Sequence, residues 1–134
     1  MSLTESNMME LGTEAPDFAL LDTLSGKEIS LADLKSEQAT VIMFTCNHCP
    51  YVLHVTAELV RLSTEYMAKG VSFVAISSND VDKYPQDAPD KMTLLAKQEG
   101  YPFPYLFDAT QVVAKAYDAA CTPDFSVFDA ELKL

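Results

Sequence analysis

Basic residues are scarce: nine lysines and arginines stand against 20 aspartates and glutamates in 134 residues, and Arg61 is the only arginine. The resulting formal net charge of −11 argues against a nucleic-acid backbone or an anionic membrane surface as partner. Long apolar runs are missing as well. No stretch approaches the roughly 20 residues needed to span a bilayer, and the opening MSLTESNMMEL has neither the basic start nor the apolar core of a signal peptide, so a cytoplasmic chain is expected. The four glycines form no phosphate-cradling motif, so nucleotide binding has no support. Three cysteines are too few, and odd in number, for the disulfide framework of a small secreted domain. Redox or metal chemistry is the better expectation for them.

Hydrophobic residues make up 49% of the chain and charged residues 22%, a globular composition at a length that buries one continuous core. No repeat, low-complexity tract or linker divides it, so one domain is expected over 15–134, preceded by a mobile segment at 1–14. Asp17 to Leu21 and Glu28 to Leu31 suggest a hairpin turning through Leu24 to Lys27, with a capped helical turn at Ser30 to Leu34. Ala39 to Thr45 (ATVIMFT) is an uninterrupted apolar run of the kind found in a strand buried on both faces. From Pro50 to Lys69, apolar residues at Val52, Val55, Leu59, Leu62 and Tyr66 recur at steps of three and four before Gly70, which predicts a helix. A second buried strand at Val71 to Ser77 completes a parallel crossover. Beyond it the pattern gives a polar loop from Ser78 to Pro89, a helix at Asp90 to Glu99, an extended segment at Tyr101 to Phe107, a short helix at Thr110 to Tyr117 and a strand at Asp124 to Phe128. The expected class is α/β, a sheet flanked by helices. A further strand is expected after Leu134, because Asp129 to Leu134 begins a turn that leaves the last strand without a neighbour.

The chemistry is concentrated in FTCNHCP, residues 44–50. Cys46 ends the buried strand and Cys49 enters the first helical turn, a spacing that a disulfide can bridge. Pro50 suits an early helix position, where its missing N–H is not needed. Unpaired N–H groups and the positive end of the helix dipole lower the pKa of an exposed thiol there, so Cys46 is the expected nucleophile and Cys49 the thiol that resolves a mixed disulfide. His48, between them, can add positive charge or a hydrogen bond to the Cys46 thiolate; the alternative is an exposed histidine without effect. His54 reads as a surface residue of the helix. A zinc site would need four ligands, usually with a second pair at short spacing, and the sequence has none. No metal and no cofactor is expected.

The combination of APDFALLD, GKEISLADL, a strand running into CNHC, a βαβ crossover and a late Cys121-Thr122-Pro123-Asp124-Phe125 resembles the redoxin branch of the thioredoxin superfamily, the alkyl hydroperoxide reductase/thiol-specific antioxidant-like proteins. The resemblance implies a thioredoxin-like fold with an N-terminal hairpin extension, and thiol-dependent redox activity. It makes Cys46 the attacking and Cys49 the resolving cysteine, and Pro123 the cis-proline facing the pair, with the backbone at Thr122 free to bind substrate as an added strand. Without the resemblance, Pro123 would read as an ordinary trans proline at a strand edge. Cys121 is then either a third redox thiol or a small buried hydrophobe.

Two departures from the family pattern narrow the activity. Thioredoxins carry a buried acid in the strand before the cysteines, whereas Val41 to Thr45 has no charged residue, so proton transfer from Cys49 needs water or another group. Peroxide-reducing members have a threonine three positions before the peroxidatic cysteine and an arginine beside it, whereas Met43 stands three before Cys46. The expected activity is therefore disulfide exchange with protein or small-molecule thiols, drawing on a thiol reductant system. A peroxidase using Cys46 and a non-catalytic binding module are the alternatives. The acidic stretch Asn79 to Tyr84 starts like a calcium loop but lacks the glycine and the closing acid, and the aromatic residues of Tyr101 to Phe107 read as packing.

Overall fold

The computed structural model describes residues 10–45, 50–78, 85–119 and 124–134, with the backbone alone at 50–54 and 86. Six strands, β1 (Ala19–Asp22), β2 (Glu28–Ser30), β3 (Thr40–Thr45), β4 (Ser72–Ser77), β5 (Tyr105–Phe107) and β6 (Asp124–Phe128), form one mixed sheet in the order β2-β1-β5-β4-β3-β6. The pairs β3–β4 and β4–β5 are parallel, and the outer pairs are antiparallel. The helices are α1 (Leu31–Leu34), α2 (Pro50–Met67), α3 (Pro89–Glu99) and α4 (Val112–Ala116).

The two central strands explain the layering. Side chains alternate along a strand, so Ile42, Phe44, Val74 and Ile76 enter one core with Leu31 and Leu34 of α1 and Val113 beside Tyr117 at α4. Met43, Phe73 and Ala75 enter the other, against Met92 and Ala96 of α3 and Leu59 of α2. Both faces of β3 and β4 are thus covered, which is why their sequences are apolar without alternation. The sheet flanked by helices on both sides is the α/β, thioredoxin-like arrangement expected.

Several boundaries differ from the sequence expectation for identifiable reasons. Strand β1 extends to Asp22, whose buried carboxylate accepts the backbone N–H groups of Leu24 (3.1 Å), Ser25 (3.3 Å) and Tyr105 (3.1 Å). One side chain thereby fixes both the hairpin turn and its attachment to β5. Helix α3 begins at Pro89, not Asp90, because a proline at the first helical position gives up an N–H that needs no partner there. Within Tyr101 to Phe107 just the last three residues are strand, and Phe103 and Tyr105 are buried, as packing residues should be. Helix α4 is shortened at its start because Gln111 takes a left-handed conformation with φ 64°, from which its side chain donates to the Ser78 carbonyl at 2.8 Å. Helix α1 carries the expected cap: Ser30 Oγ accepts from Asp33 N, and the Asp33 carboxylate accepts from Ser30 N.

At the far side of the sheet the two ends of the described chain meet. The backbones of Glu14 and Lys133 form an isolated antiparallel β-bridge, and hydrogen bonds run from Ala15 N to Leu132 O and from Leu134 N to Thr13 O. No helix among the described residues is long and apolar enough to cross a membrane.

Candidate functional site

The candidate site is defined by where the described strands stop. Strand β3 ends at Thr45, helix α2 starts at Pro50, and the four residues between them are CNHC. Strand β6 opens at Asp124, which pairs with Phe44, the next-to-last residue of β3. The segments bearing the two sets of chemically interesting residues are therefore attached to neighbouring strand ends on one edge of the sheet. Cys46, His48 and Cys49, and likewise Cys121, Thr122 and Pro123, lie outside the described residues. So does the acidic stretch from Asn79 to Tyr84, which follows the same end of β4.

The described rim of this end is polar on both faces. On the α4 face, the buried Asp108 just past β5 accepts from Ser78 Oγ at 2.8 Å and from Ala114 N at 2.9 Å, joining β4, β5 and α4. On the α2 face, Thr45 and Ser77 are in direct register at the ends of β3 and β4. Both are buried, and neither hydroxyl has a hydrogen-bond partner among the described residues. Beside Thr45 a cavity of about 10 Å³ lies among Met43, Val55, Leu59, Tyr101 and Phe125, with an almost wholly apolar lining.

Arg61 does not belong to this rim. It lies on the solvent side of α2, held by Glu58 and by Glu65 at 3.5 Å. Glu58 is a hydrogen-bond acceptor for the guanidinium, which holds its carboxyl below the usual range and raises the arginine. Sequence reasoning passed over Thr45 and Ser77, because hydroxyl residues within strands are common. The signal was that two parallel buried strands, TVIMFT and SFVAIS, both end on one.

The AhpC/TSA family model matches residues 11–134. Among curated proteins the chain is similar to the thiol-disulfide oxidoreductase ResA of Bacillus thuringiensis subsp. konkukian (strain 97-27), 27% identical over 131 residues, which are 98% of this chain and 70% of that protein. Among solved structures it is similar to a conserved protein from Geobacillus kaustophilus, at 62% identity and a TM-score of 0.98 over 99% of this chain and 70% of that one. A second, from Sinorhizobium meliloti 1021, gives 42% identity and a TM-score of 0.95 over 98% and 72% of the respective chains. The fold, the order of its elements and the family match agree: the chain belongs to the AhpC/TSA family, in the redoxin branch of the thioredoxin superfamily.

Proposed function

We propose that the chain is a thiol-disulfide oxidoreductase that exchanges disulfides with protein or small-molecule thiols through Cys46 and Cys49. The observation that carries this reading is the position of CNHC in the chain, between the last residue of a strand buried on both faces and the first residue of an 18-residue helix. Thiols at a helix N-terminus are acidified by unpaired N–H groups and the dipole, and a two-residue spacing suits reversible closure. The similarity to a protein named a thiol-disulfide oxidoreductase supports the same chemistry.

In this reading the Cys46 thiolate attacks a substrate disulfide, His48 stabilises that thiolate, and Cys49 resolves the mixed disulfide. Thr122 and Pro123 receive the substrate backbone, Cys121 stands by as a further thiol, and a cytoplasmic reductant returns the pair to dithiol. Peroxide reduction is disfavoured, because Met43 occupies the position of the peroxidase threonine and Arg61 is bound to Glu58 and Glu65 on the solvent side of α2.

The test is the equilibrium of the Cys46–Cys49 couple with glutathione, in protein carrying Cys121→Ser, together with the pH dependence of Cys46 alkylation. A reversible couple with a Cys46 thiol well below the ordinary value of about 8.5 is expected. The reading is overturned if no intramolecular disulfide forms. Hydrogen peroxide should oxidise Cys46 no faster than a free thiol of the same acidity.

A further inference from the structure

We draw no further inference here: the strongest candidate, the half-exposed apolar face that Phe125 and Val127 of the edge strand β6 present on the α2 side of the sheet, carries nothing because nothing in the structure shows what covers it.

Discussion

The hydroxyl of Tyr117 donates to the carbonyl of Pro16 at 2.5 Å, while its ring stands edge-on to Phe18 and Phe128 and tilted against Phe44. One side chain thus ties the segment before β1 to the end of α4 and to two strands. Burial, and after it the nearby charge of Asp17, raises the phenol well above its ordinary value. Because the folded state holds the neutral form more tightly than the unfolded chain does, this contribution to stability is complete below about pH 10 and is lost as pH rises beyond it. Tyr117→Phe keeps the packing and removes both the hydrogen bond and the titration. It should cost about 1 kcal/mol near neutrality, and its loss of melting temperature between about pH 9 and 11 should be smaller than the parent's. Thermal melts across that range decide it: equal slopes would mean that Tyr117 does not titrate with unfolding.

At the scale of elements, helix ends are set by backbone conformation as much as by side-chain pattern. Gly100 closes α3 at φ 70° and ψ 41°, with its N–H donating to Ala96 O. That left-handed geometry costs a residue with a Cβ about 1–2 kcal/mol. Nothing lies within 4 Å of where a Cβ would stand, so Gly100→Ala should cost about that backbone penalty and no more. Urea unfolding should show a lower midpoint with an unchanged slope; a larger loss would mean that the surrounding structure shifts. Gln111, by contrast, holds φ 64° without being glycine, and a pattern of apolar spacing has no means of registering it, so α4 was read two residues too early. Helix α2 and strands β3 and β4 were legible because burial on one face or on both writes a period into the sequence. The cysteine pair stands out in the sequence for a different reason, its two-residue spacing between a buried strand and a helix, and it lies outside the described residues. Thr45 and Ser77 do not stand out. Their juxtaposition comes from the parallel register that sets them side by side, a relation between residues 32 positions apart.

For the whole molecule, the dominant quantity is charge. With 20 acidic against nine basic side chains, the protein presents a negative field to any disulfide that approaches, and such a field concentrates cations and repels anions before contact is made. The described basic groups here do little to offset it, because Arg61 on α2 and Lys69 just past its end are both drawn to acidic residues of α2. Two small disulfides of opposite charge test this directly: cystamine, a dication, and oxidised glutathione, a dianion near neutrality. Their intrinsic reactivities differ, so a rate difference at one ionic strength says little. The salt dependence of the ratio removes that difference, because the chemistry of each disulfide stays fixed while screening shortens the Debye length from about 30 Å at 0.01 M to about 8 Å at 0.15 M. Oxidation of the reduced protein should favour cystamine most strongly at low salt, with the ratio shrinking several-fold as salt rises. A ratio that ignores salt would place the thiols beyond the reach of the net charge. Substrate selection would then depend on local contacts around the pair.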